Sequence, residues 1–250
     1  MQKEEQILIR HLIDLSRTSY HQQIKTYSEF LNLNEIHLFE DNIKDFEIVN
    51  YKIDGGYKGA ERCLISFFDK YSVDVPSPIV CLKIQPVSQR FSDCLTHRDV
   101  LGAVLHLGIE RNQIGDILIN DNISYLFCMA GISDFMMQNL LKVKHTKVNV
   151  SIYDANGIEA SIQYKVRQGT VASIRLDAVI SLAFSLSRSK AVTYITSGRV
   201  YINGRLMESS SHILKDNDII SIRGLGKFKF ENTKTKSKKN NFVIKTHIYI

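Results

Sequence analysis

Arg175-Leu176-Asp177, Ser187-Arg188-Ser189-Lys190-Ala191, Gly198-Arg199-Val200-Tyr201-Ile202-Asn203-Gly204-Arg205 and Asp218-Ile219-Ile220 decide how the last third of this chain folds. Leu176, Val179, Ile180 and Ala183 recur at helical spacing and mark a short amphipathic helix. Ser187 caps a second helix, which carries Arg188, Lys190, Ala191, Tyr194 and Ile195 and stops at Gly198. Val200-Tyr201-Ile202 is a strand, Asn203-Gly204 a hairpin turn, and Asp218–Ile222 a further strand. Beyond it, Lys227-Phe228-Lys229-Phe230 and Phe242–Ile250 alternate like the arms of a terminal hairpin. Between them Asn232–Asn241 reads as a polar loop bearing Lys234, Lys236, Lys238 and Lys239.

The chemistry of these residues points to a polyanion. Arg188 and Lys190 fall in the first turn of a helix, beside unpaired N–H groups that favour phosphate. Arg175, Arg199 and Arg205 come from neighbouring elements, within reach of one face, and the planar guanidinium fork suits phosphate. Structured RNA is read mostly by shape, 2′-hydroxyl and phosphate contacts, so a small basic face suffices. Together these positions resemble the RNA-binding module named after ribosomal protein S-four. The resemblance implies an RNA surface built from Arg175, Ser187, Arg188, Lys190, Arg199, Asn203 and Arg205, joined by Lys227, Lys234, Lys236, Lys238 and Lys239. Two positions depart from the family: Asn217 stands where Gly usually precedes the Asp, and Phe184-Ser185-Leu186 replaces a stretch that often holds Gly. Arg175 and Asp177 also fit an ion pair internal to the module, and the lysine loop fits a solvated hairpin tip.

The charge follows the motif. The 250 residues carry a formal net charge of +6, with 44% apolar and 23% charged residues, ordinary globular composition. Divided along the chain, residues 1–76 sum to −4, 77–165 to 0 and 166–250 to +10. Such sign asymmetry is a footprint of nucleic acid. No apolar run approaches the roughly 20 residues of a bilayer span. The start, Met1-Gln2-Lys3-Glu4-Glu5, carries both signs of charge and is unlike a secretory signal. Cys63, Cys81, Cys94 and Cys128 are scattered, which suits reduced thiols in the cytoplasm.

Upstream the chain divides into two further α+β segments, giving three small domains: 1–76, 77–165 and 166–250. Pro76, Pro78 and Pro86 cluster at the first boundary. In the first segment Ile7, Leu8, His11, Leu12 and Leu15 recur at helical spacing, and a second helical stretch is expected over 20–31. Phe46–Ile53 is β-like and runs into Asp54-Gly55-Gly56, and Glu61–Tyr71 reads as a short helix. The middle segment reads β-α-β-β-α-β, a ferredoxin-like order shared with the RNA-recognition motif. Its strands are Ile79–Gln85, Asp116–Ile119, Ile123–Met129 and Lys147–Tyr153, with Asn120-Asp121-Asn122 as a turn. Its helices open at Thr96, with Gly108 as a stop, and at Ser133. Tyr125 and Phe127 share a face of the third strand, but the Lys/Arg-Gly signature of that motif is absent, so both read as core.

Several stretches carry a second, longer resemblance. Gly55-Gly56-Tyr57 with Gly59-Ala60-Glu61-Arg62, Leu95–Ala103, Leu107–Arg111, Ile114-Gly115-Asp116-Ile117 and Gly169–Asp177 are similar to the YlmH family. The resemblance implies a bacterial cytoplasmic protein of ribosome-associated quality control. Its implied partners are the rRNA of the large ribosomal subunit and an obstructed peptidyl-tRNA, and it is expected to act as a monomer without cofactor or membrane.

Enzyme readings fare worse. His97-Arg98-Asp99 lacks a nucleophile with an oriented base, and adjacent helical residues point apart. Arg98 and Arg111 fit secondary RNA contacts. A methyltransferase needs a Gly-rich cofactor turn, and no G-x-G-x-x-G occurs. A pseudouridine synthase needs a catalytic domain with its own Asp, and a tyrosyl-tRNA synthetase needs nucleotide motifs of which His106-Leu107-Gly108-Ile109 is a faint echo. The eight histidines are dispersed and no H-E-x-x-H occurs, so no metal or catalytic residue is expected. The alternatives to non-enzymatic RNA binding are an RNA-modifying enzyme and a cell-division-linked protein-interaction factor.

Overall fold

The computed structural model describes residues 3–70, 77–88, 92–120, 122–156 and 164–249. They form two compact α+β units, 1–161 and 162–250.

In the first unit, α1 (Lys3–Gln22) buries Ile9, Leu12, Ser16 and Ser19 along one face. Instead of a helix over 20–31, α1 ends at Gln22 and β1 (Thr26–Tyr27) follows. The Asn32 side chain accepts the N–H groups of Asn34 and Glu35, and the Glu35 carboxylate accepts from Asn32 N–H, which fixes the start of α2 (Leu33–Asp41). Strands β2 (Asn50–Asp54) and β3 (Leu64–Phe68) complete a sheet of order β1-β3-β2. Phe46 belongs to a 3-10 turn before β2 rather than to the strand itself. The segment expected to be helical within Glu61–Tyr71 is β3. Leu64, Ile65, Ser66 and Phe67 are all buried, as befits a central strand covered on both faces, and the apolar run is short for a helix.

The second sheet follows. Its elements are β4 (Ile79–Pro86), α3 (His97–His106), β5 (Ile114–Asn120), β6 (Ile123–Met129), α4 (Ala130–Asn139), β7 (Lys142–Val143) and β8 (Thr146–Tyr153). The order β5-β6-β4-β8-β7 with antiparallel neighbours is the ferredoxin-like arrangement plus a short edge strand. The Asn120-Asp121-Asn122 turn includes Asp121, outside the described residues. At α3, Asp99 does the capping: its carboxylate accepts the Thr96 backbone N–H at 2.9 Å and hydroxyl at 2.6 Å, and meets the Lys144 ammonium at 2.8 Å. Those bonds from Lys144 and Thr96 bring its carboxyl down to about 2. Gly108 takes φ +83° and ends this helix as expected. Helix α4 opens at Ala130, and Ser133 lies inside it with its hydroxyl donating to Ala130 O.

The boundary anticipated at 76/77 lies inside this unit, because the two sheets are joined by hydrogen bonds. The Arg62 guanidinium donates to the carbonyls of Phe30 (2.6 Å) and Ile114 (3.0 Å). The Asp116 carboxylate accepts from the Tyr57 hydroxyl and the Glu61 N–H, each at 2.7 Å. The Tyr57 ring stacks on buried Phe127 at 4.8 Å.

In the second unit, β9 (Tyr164–Val171) precedes α5 (Leu176–Phe184) and α6 (Arg188–Thr196). Then come β10 (Val200–Ile202), β11 (Arg205–Leu206), β12 (Ile219–Ile222), β13 (Gly226–Lys236) and β14 (Phe242–Tyr249). The sheet order is β11-β10-β12-β13-β14-β9. Leu176, Val179, Ile180, Ala183, Ala191 and Ile195 pack both helices onto Ile220, Phe228, Phe230 and Ile244. The loop expected over Asn232–Asn241 is shorter: β13 continues through a bulge to Lys236. Strand β9 is unforeseen; it is a largely exposed edge strand, so its apolar alternation is faint.

Candidate nucleic-acid interface

The start of α5 sets the geometry. Asp177 is buried, with 5% of its side chain exposed. Its Oδ1 accepts from Arg175 Nε at 3.1 Å and from the Ala178 N–H at 2.9 Å. Its Oδ2 accepts from Arg188 Nη2 at 2.7 Å and Arg175 Nη2 at 3.3 Å. Burial opposes ionisation of this carboxyl, but the bonds from the two arginines outweigh it and hold it below the usual carboxylate range. The internal pair of Arg175 with Asp177 is therefore present, and Arg188, eleven residues on, shares it. Arg188 still leaves 60% of its side chain exposed, so it ties α6 to α5 while presenting donors outward.

At the N-terminus of α6 the Ser187 hydroxyl accepts the Lys190 N–H at 3.3 Å, the anticipated cap. Lys190 projects into solvent. Beside these helices lies a cavity of about 550 Å³ lined by Arg175, Arg188, Thr170, Ser173, Ser181 and Leu182 among others. Ser185, also on its wall, accepts a hydrogen bond from Arg167.

The remaining expected residues divide by position. Lys234 and Lys236 stand at the end of β13, and Lys238 and Lys239 in the turn beyond; all four are exposed. The pairing of Phe242 with Val171 puts this tip at the end of the sheet where β9 leaves for α5 and Arg175. Exposed Arg205 follows the turn at that same end, since Ile202 pairs with both Arg205 and Ile220. Arg199 is exposed at the opposite end, where Val200 pairs with Ile222. Arg223 stands there too, its guanidinium 4.8 Å from the Tyr201 ring centroid; its only signal was the basic character of the segment. Lys227 is half-buried, with its ammonium 4.3 Å from the Tyr249 ring centroid.

Two expected contacts serve the fold instead. Asn203 spends its amide on the turn: Nδ2 donates to Asp218 Oδ1 and Oδ1 accepts the Ile219 N–H, both at 2.8 Å. Arg111 points inward and donates to Ile114 O (2.6 Å) and Gly115 O (3.1 Å); burial, with Arg62 beside it, brings its guanidinium down to about 10. Arg98 is exposed on α3.

Known proteins match this picture. Residues 79–156 match the family model described as "Putative RNA-binding domain in YlmH", and residues 174–220 match the S4 domain. The chain is 27% identical over 244 residues to the "Ribosome-associated protein quality control protein P2" of Bacillus subtilis, covering 96% of this chain and 93% of that protein. It resembles in fold the solved "Cell division protein ylmH from Streptococcus pneumoniae", with a TM-score of 0.52 at 18% identity, covering 63% of this chain and 96% of that one. An α+β fold ending in a basic S-four domain, with a second RNA-binding domain before it, defines an RNA-binding protein. The chain carries the RNA-binding domain described for YlmH together with an S4 domain.

Proposed function

We propose that this chain is a non-enzymatic, cytoplasmic, monomeric protein that binds rRNA on the large ribosomal subunit and acts in ribosome-associated quality control on obstructed peptidyl-tRNA. The observation that carries the reading is an S-four domain, residues 174–220, set within a longer segment, 166–250, of net charge +10. Similarity along nearly the whole chain to a relative named for ribosome-associated quality control supports the pathway. The surface assigned to RNA is Arg175, Arg188 and Lys190 with the β13–β14 lysines and Arg205. Among the described residues no helix is long and apolar enough to cross a membrane. Co-sedimentation with purified large subunits tests the binding, and loss of binding in a Lys190→Ala/Lys238→Ala/Lys239→Ala variant that melts normally is the expected outcome. Mass mapping of rRNA and tRNA from a deletion strain tests the absence of catalysis: the modification pattern is expected to be unchanged.

The name of the Streptococcus pneumoniae cell division protein suggests a second reading, a role in cell division. A division defect rescued by the Lys190→Ala/Lys238→Ala/Lys239→Ala variant separates a protein-interaction role from RNA binding.

A further inference from the structure

A second surface, in the first unit, combines aromatic rings with cations. One face of the sheet β5-β6-β4-β8-β7 sends Leu82, Ile84, Leu126, Val148 and Val150 into the core. The opposite face is closed at one end, where Tyr57 covers Phe127. Cys81, beside Phe127, is buried as well; beyond it the face opens, and strand alternation assigns its residues. Lys83 on β4 is flanked by its partners Tyr125 on β6 and Ser151 on β8. Phe127 is core as expected, but Tyr125 is only half-buried, because it lies on the face away from the helices; its ring meets that of Tyr153 at 4.9 Å and 58°, and Tyr153 is 37% exposed. Farther along, exposed Asn149 and Lys147 share the face, and Lys147 pairs with exposed Lys142 on β7. At outward positions of β4, β6, β7 and β8 there is no carboxylate: Ile79, Cys81, Lys83 and Gln85 on β4 are typical.

We propose that this open face is a track for single-stranded RNA, with bases stacked on Tyr153 and Tyr125 and the backbone carried by Lys83, Lys147 and Lys142. Rings beside cations, with no opposing carboxylate, are the recipe for sequence-tolerant single-strand binding, since every base has a π-face and every linkage a phosphate. From Tyr153 to Lys147 the strand spans about 20 Å, room for a few nucleotides. A protein partner fits less well, because the end of the face away from Phe127 presents Lys83, Gln85, Lys142, Lys147, Asn149 and Ser151, and lysine is depleted from protein interfaces. The family description names residues 79–156 as RNA-binding without assigning a surface; this proposal assigns one, and it does not rest on the S-four reading.

The test uses the full chain carrying Lys190→Ala, Lys238→Ala and Lys239→Ala, which weakens the basic surface of the other unit. The probe is a labelled eight-nucleotide oligouridine. Tyr153→Ala is expected to weaken binding roughly tenfold and Tyr153→Phe to leave it near the starting value, since the ring is what stacks. Lys83→Ala is expected to lower the log–log salt slope by about 0.7. Photocrosslinks from 4-thiouridine are expected on peptides holding Tyr125 or Tyr153. Unchanged affinity in both Tyr153→Ala and Lys83→Ala, crosslinks confined to 162–250, or equal competition by an RNA duplex overturns the proposal. Large-subunit co-sedimentation of the single variant Tyr153→Ala, run in parallel, reports the S-four reading separately.

Discussion

Asp177 shows how one residue ties two elements of the fold together. A buried carboxylate needs partners, and Arg175 and Arg188 supply them from two elements. Removing it leaves two cations facing each other, so Asp177→Ala is expected to cost roughly 1–3 kcal/mol, less than a fully buried pair because both arginines are partly exposed. Denaturant titration of the C-terminal unit measures this. The pH dependence has a definite sign. The folded-state carboxyl sits below its unfolded value, so its stabilisation is complete above the ordinary carboxylate range and is lost as pH falls through the folded value. A melting temperature that declines with acid in the parent, and less so in Asp177→Asn, is the expected pattern. The same tie separates Arg188 from Lys190. Arg188→Ala is expected to lower both stability and RNA affinity, whereas Lys190→Ala lowers affinity alone and cuts the salt slope by about 0.7 to 0.9. The Arg175–Asp177 pair was legible in the sequence because its members are two residues apart. The share taken by Arg188 was not, since it depends on how α6 returns against α5.

At the scale of elements, left-handed backbone positions explain where this chain departs from its family. Asn217 takes φ +70° and Ser185 φ +52°, the conformation glycine adopts without cost and Asn tolerates. Asn217→Gly is accordingly expected to stabilise the unit by up to about 1 kcal/mol, readable as a rise in melting temperature. The opposite holds at Gly56, at φ +89°. A Cβ there meets Phe127 at 2.6 Å and Ile79 at 2.9 Å, so Gly56→Ala is expected to destabilise the first unit by about 1–3 kcal/mol. The motifs around Gly55, Arg62 and Asp116 were visible as patterns, but their work, sealing two sheets together, appears only when residues more than fifty positions apart hydrogen-bond. Strands fared by their environment. β8 has one buried face and alternates, β4 and β6 are apolar runs of strand length, and all three were legible. β3, buried on both faces, mimicked a helix, and β9, an edge strand with few buried side chains, mimicked a linker.

Across the whole molecule the net charge of +6 hides an acidic beginning and a strongly basic end. The two compact units meet near residues 161 and 162, close to where the charge changes. Expressed separately, 1–161 and 162–250 are each expected to unfold cooperatively, as followed by circular dichroism, and 162–250 is expected to carry the steeper salt dependence of RNA binding. The proposed role of the basic unit as an electrostatic RNA clamp is tested most directly by co-sedimentation of the full chain with large ribosomal subunits across a salt series. The prediction is a linear fall of log affinity with log salt, shallower in Lys190→Ala. Binding that persists unchanged through the series, with the same slope in the variant, contradicts it.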